Sequence, residues 1–113
     1  MLAPSQIKLH KKSQTLELVF DGQPYVFSSE FLRVLSPSAE VRGHGKGQEI
    51  LQTGKKFVEI TDITATGNYA IKLTFNDGHD TGIYSWDYLL ELGKNKADLW
   101  QQYLQQLESA GAS

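Results

Sequence analysis

Three histidines, His10, His44 and His79, are the side chains of this chain able to carry a proton near neutral pH. His10 follows Ile7 and Leu9 on the opposite face of a strand, a position open to solvent. His44 falls in a glycine-rich loop. His79 follows Asp77-Gly78 and precedes Asp80, whose carboxylate is close enough in sequence to orient the imidazole. Together with the serines these residues compose a Ser/His/Asp set, the chemistry of acyl transfer. No Gly-x-Ser-x-Gly turn presents a strained nucleophile, so hydrolysis is not the expectation. The run Arg42-Gly-His-Gly-Lys-Gly47 alternates cationic or imidazole side chains with glycine. Bare glycine amides beside cations are phosphate-cradling chemistry. The run lacks the Gly-x-x-x-x-Gly-Lys-Ser/Thr spacing and opens no helix, and its first reading is a flexible surface loop. Asp77, Asp80 and Asp87 cluster in sequence, Asp77 as turn chemistry and Asp87 as first-turn helix charge. Trp86 and Trp100 read as core anchors rather than stacking platforms.

The elements that must position these residues repeat. Leu16 to Phe20, Asp21-Gly22, Tyr25 to Phe27, then Ser28, Phe31, Leu32 and Leu35 form one pattern. Ile71 to Phe75, Asp77-Gly78, Ile83-Tyr84, then Ser85, Tyr88, Leu89 and Leu92 form the second. Each reads as strand, Asp-Gly turn, strand and Ser-capped short helix. Ile7 and Leu9 mark an opening strand, and Phe57 to Ile63 resumes the alternation before Thr66-Gly67-Asn68 turns it. Residues 36–56 read as a loop in which Ile50 and Leu51 alone offer burial. Pro37 ends the first helix and Gly93, in left-handed conformation, the second. Asn95 caps a final helix whose stripe is Leu99, Trp100, Tyr103, Leu104 and Leu107. The fold class is α+β: about six antiparallel strands, two short helices at equivalent places and a longer C-terminal helix.

Bulk properties narrow the classes. The 113 residues carry a formal net charge of -2, which gives no global attraction to nucleic acid or anionic membrane. With no cysteine there is no disulfide, thiolate nucleophile or Cys-ligated metal site within this chain. The start, Met1-Leu-Ala-Pro-Ser, has neither a basic nor an apolar segment of the kind a signal peptide needs. The expectation is one cytoplasmic domain over 1–113.

Ser36-Pro-Ser-Ala-Glu-Val-Arg-Gly-His-Gly and the run from Gly67 through Asp77-Gly-His79 to Ile83-Tyr-Ser-Trp-Asp-Tyr-Leu89 carry a more specific signal. They resemble the gamma-butyrobetaine hydroxylase-like N-terminal domain family, over roughly residues 6–108, in the form of a short stand-alone bacterial chain. The family is largely of unknown function. It occurs ahead of the catalytic domain of carnitine-pathway dioxygenases and attached to certain P-loop iron–sulfur carrier proteins. In the dioxygenases the resemblance implies a structural zinc on a Cys-Pro-Cys-Ala-x-Cys segment and a histidine. Ser36, Ser38 and Val41 stand at the thiolate positions and His79 at the histidine, so Cys₃His binding is not expected here. The dioxygenase barrel is absent from this sequence, and its activity is not implied.

The functional expectation is a non-catalytic interaction or adaptor module with a protein partner and no cofactor, nucleic acid or membrane. Its candidate contact residues are Arg42, His44, Lys46, His79 and Asp80. The alternatives are an accessory factor in iron–sulfur cluster or cofactor delivery, or a small anion-binding domain using Arg42, His44 and Lys46.

Overall fold

The computed structural model describes residues 3–43 and 49–113. Strands β1 (Gln6–His10), β2 (Thr15–Phe20) and β3 (Gln23–Ser28) form one antiparallel sheet in the order β1-β2-β3. Strands β4 (Ile60–Thr66), β5 (Ala70–Phe75) and β6 (Ile83–Ser85) form a second, in the order β4-β5-β6. Helices α1 (Ser29–Val34), α2 (Ala39–Arg42), α3 (Trp86–Lys94) and α4 (Lys96–Ser109) complete the α+β fold.

Period-two alternation decides which face of each sheet is dry. Leu16, Leu18 and Phe20 of β2 are buried, while Thr15, Glu17 and Val19 between them are half-buried. In β5, Ile71, Leu73 and Phe75 do the same. One core cluster takes residues from both sheets and from α1 and α3, with Leu32 and Leu89 wholly enclosed. Helix α4 lies over a smaller cluster of Val34, Tyr103 and Leu107.

The two helices that follow the sheets start alike. The Ser28 hydroxyl accepts the Phe31 N–H at 3.0 Å, and the Ser85 hydroxyl accepts that of Tyr88 at 3.1 Å. Tyr84 and Tyr88 then donate their hydroxyls to the Leu32 and Leu35 carbonyls, which satisfies acceptors that the short α1 leaves free.

The two Asp-Gly turns differ. Asp21 (φ 50°) and Gly22 (φ 79°) are both left-handed, and Phe20 pairs directly with Gln23, a two-residue hairpin. The second turn is longer. Gly78, at φ 90°, follows a turn in which its N–H donates to the Phe75 carbonyl at 3.1 Å, and Phe75 N–H donates to the His79 carbonyl at 2.9 Å. Pairing resumes at Ile83, so His79 and the three residues after it form a bulge off the sheet rather than the start of β6.

Three local expectations are corrected. Residues 39–42 form a turn of helix, capped by the Ser38 hydroxyl on the Glu40 N–H at 3.3 Å, and bury Val41. Ile50 is exposed instead. Gly93 lies inside α3 without a left-handed φ; a Cβ there would come within 2.5 Å of the Tyr25 ring, so closeness of packing is what requires glycine. Asn95 makes no side-chain cap to α4 and donates its amide to the Glu91 carbonyl at 2.9 Å, closing α3.

Candidate functional site

The bulge after Gly78 meets the chain between α1 and α2, and the meeting point is polar and buried. The Ser36 Oγ lies 2.8 Å from His79 Nε2, and the Glu40 Oε2 lies 3.0 Å from His79 Nδ1. A carboxylate only accepts, so Nδ1 carries the proton, and Nε2 accepts from the Ser36 hydroxyl. Ser36 Oγ in turn accepts the Ser38 N–H at 3.2 Å, and the Ser38 hydroxyl lies 2.6 Å from that of Thr81. Residues 36–40 are thus pinned to the 79–81 bulge across 43 positions of sequence.

This is the order of bonds in a hydrolytic triad, serine to imidazole to carboxylate. Access is what it lacks. Ser36 is 0% exposed and His79 4%. Gly82 is buried directly over Ser36, and a Cβ at Gly82 would overlap the serine oxygen. The Tyr84 hydroxyl sits beneath, pushed above its ordinary pKa by burial. A substrate carbonyl has no path to this oxygen, and the array functions as a clasp.

Asp77, at the head of the same turn, gathers a second web. Its carboxylate accepts from Arg33 Nε at 2.8 Å, Lys55 Nζ at 2.6 Å and the His79 N–H at 3.1 Å. Burial pushes the carboxyl up, but the Lys55, His79 and Arg33 donors outweigh it and bring its pKa down to about 2. Arg33 is itself buried, and its Nη1 has no hydrogen-bond partner among the described residues.

The expected contact residues therefore separate. His79 is a buried fastener whose side chain offers nothing to solvent, which corrects its place on a contact surface. Asp80 is exposed and does not orient the imidazole; Glu40 does. Arg42 is exposed, its Nη1 donating to the Tyr88 hydroxyl at 3.2 Å with the guanidinium 5.8 Å over the ring. Burial pushes the Tyr88 hydroxyl above its usual pKa. His44 and Lys46 lie outside the described residues. Arg42 stands at the edge of an open groove of about 980 Å³ between α2 and α4, floored by Val34, Leu35, Val41 and Tyr103.

Sequence reasoning missed Glu40, Thr81 and Arg33. Pairings of this kind carry no periodicity. The one local signal was Ser38 followed by Glu40 and Val41, a short capped turn inside a segment read as loop.

A model of the domain described as gamma-butyrobetaine hydroxylase-like, N-terminal, matches residues 7–90. The chain belongs to this family. Two solution structures determined by NMR are similar to it over 100% of its length. One is 51% identical (TM-score 0.88, 90% of that chain covered) and the other 53% identical (TM-score 0.84, 85% covered). A crystal structure of a protein of unknown function from Acidithiobacillus ferrooxidans, assigned to the DUF971 family, is 34% identical over 80% of this chain and 91% of that one, with a TM-score of 0.67. No curated protein matches. The zinc that the family resemblance implies does not fit the residues present. Both His79 nitrogens are engaged, the two serines offer neutral hydroxyls, and Val41 offers no donor atom. Of the positions the resemblance marks, Ser36 and His79 do meet, through a hydrogen bond.

Proposed function

We propose that the chain is a non-catalytic interaction module of the cytoplasm, with the groove between α2 and α4 as its contact surface. In this reading the two strand–turn–strand–helix units are copies of one unit, and the bulge of the second serves to hold α2. The observation that carries it is the clasp. Ser36, Glu40 and Ser38 are tied from beneath, so Val41 faces the groove floor while Arg42 stays at its mouth. Rigid support under an exposed cation and an apolar floor suits a protein segment that brings a carboxylate and an apolar side chain together. No helix among the described residues is long and apolar enough to cross a membrane, and the reading needs none.

The test is capture by the immobilised full chain, with bound proteins identified by mass spectrometry. Replacing Arg42, His44 and Lys46 together by Ala should abolish a reproducible partner set at a stability cost within about 0.5 kcal/mol. Lys72→Ala, on β5, should retain it. A partner set that survives the triple change overturns the proposal. So does labelling of Ser36 in the folded protein by a serine-reactive fluorophosphonate.

A further inference from the structure

A second feature lies on the other sheet and is independent of the groove. We propose that the turn joining β1 to β2 is a binding site for a phosphate group. His10 pairs with Thr15, so Lys11, Lys12, Ser13 and Gln14 form the turn. Beside it is a shallow depression of about 490 Å³, lined by His10, Lys11, Lys12, Ser13, Thr15 and Glu17 over the exposed Val26.

The donors suit a tetrahedral anion. Lys11 and Lys12 are exposed and in no ion pair among the described residues. The Ser13 and Thr15 hydroxyls are hydrogen-bonded to each other at 2.9 Å; with Ser13 donating, the Thr15 proton is left for a ligand oxygen. The single carboxylate in the lining, Glu17, is already held by His10 Nε2 at 3.0 Å. Lys8 stands across from Glu17, and the Lys96 ammonium sits on the Val26 carbonyl at 2.6 Å. Lys8, Lys11, Lys12 and Lys96 against Glu17 leave a local charge of +3 in a chain whose net charge is -2. That segregation is what an anion site requires.

The turn is also built to hold still. Gln14 is left-handed at φ 50°, a conformation that glycine would adopt at lower cost. Its side chain is the reason for glutamine. Its Oε1 accepts the Ser29 hydroxyl at 2.8 Å and the Ile60 N–H at 3.0 Å, and its amide donates to the Lys11 carbonyl at 3.0 Å. Its own carbonyl accepts the Ser29 N–H at 2.9 Å. One residue thereby fastens the turn to α1, to β4 and to itself. Strain maintained by four bonds under a cationic turn presents Lys11, Lys12 and Ser13 on a fixed backbone, which lowers the ordering cost of binding.

The experiment is a titration of the full chain followed by amide resonances in low salt. Its arms are inorganic phosphate, ATP, phosphatidylglycerol vesicles and duplex DNA. Saturable shifts confined to residues 10–15, with inorganic phosphate or ATP, support the site; tighter binding of ATP identifies a phosphorylated metabolite as the source, and equal binding identifies free phosphate. Each of Lys11→Ala and Lys12→Ala should weaken binding roughly tenfold, and Lys72→Ala, on β5, should leave it unchanged. Shifts that never saturate, shifts spread over every lysine, or tighter binding of DNA or vesicles than of either phosphate would overturn it.

Discussion

Replacing His79 by Ala tests whether hydrogen bonds alone hold the clasp. The imidazole is 2% exposed, packs 6.0 Å from the Phe75 ring centre and bonds to Ser36 and Glu40. Removing the ring leaves a cavity, for which a loss of about 2 kcal/mol is the lower end of large-to-small changes. It also strips the buried Ser36 oxygen of one partner, which costs about 1 kcal/mol more. The bond to Glu40, whose side chain is 65% exposed, adds little because water replaces it. The sum is about 3 kcal/mol, and for a domain of this size it corresponds to a melting temperature lower by roughly 12 °C. Ser36→Ala leaves Nε2 unpaired and should cost about 1–2 kcal/mol. Because the two residues share a bond, the double variant should lose less than the two singles together, by about 1 kcal/mol. Urea unfolding, fitted for midpoint and slope, measures all three. A coupling energy under about 0.3 kcal/mol would refute the Ser36–His79 bond. A midpoint that falls when chelator is added to the unsubstituted protein would refute the metal-free clasp.

Leu32→Ala and Leu89→Ala should each cost about 2–5 kcal/mol, since both side chains are fully enclosed; losses under about 1 kcal/mol at both would mean that they do not face a core. Asp77 titrates near 2 in the folded protein against 3.8 without its partners, so the unfolded chain takes up the proton first. Its contribution is complete above about pH 4 and is lost as pH falls toward 2. Asp77→Asn should remove that acid-limb slope in urea midpoints while lowering stability throughout, because the buried Arg33 loses its counter-charge; an unchanged slope would contradict the assignment. Gly82→Ala should cost about 1–3 kcal/mol by driving a methyl into Ser36, and Gly22→Ala, which meets open space, should cost about 1 kcal/mol from its positive φ alone.

The strands were legible because their signal is local. Leu16, Leu18 and Phe20 state their face by alternation, and Ser28 and Ser85 announce helix starts by standing three residues before Phe31 and Tyr88. The turn at Asp21-Gly22 was legible for the same reason. Asp77-Gly78 carries the same dipeptide, yet it closes a longer loop, because the bonds that shape it come from Arg33, Lys55 and Glu59 far away in sequence. Gly93 shows the converse error: glycine near a helix end suggests a left-handed stop, whereas the Tyr25 ring from β3 sets the requirement. The candidate site was half legible. His79 was singled out by its turn, but its partners were named from the next residue rather than from 39 and 43 positions earlier.

The difference between the two Asp-Gly turns also accounts for where the chain keeps its buried polar groups. At Asp21-Gly22 the backbone closes in two residues, and neither side chain is needed by another element. At Asp77-Gly78 the extra residues leave the sheet; His79, whose side chain is buried, must find partners in other elements. His79 finds Ser36 and Glu40, Thr81 finds Ser38, and Asp77 finds Arg33 and Lys55. All of these partners except Lys55 lie between residues 33 and 40, in α1, α2 and the link between them. A short helix such as α2 cannot hold itself in water. The longer turn supplies the fixed frame that a four-residue helix lacks, so Arg42 sits where the clasp puts it. Loosening the clasp should therefore disturb the groove before it disturbs the sheets.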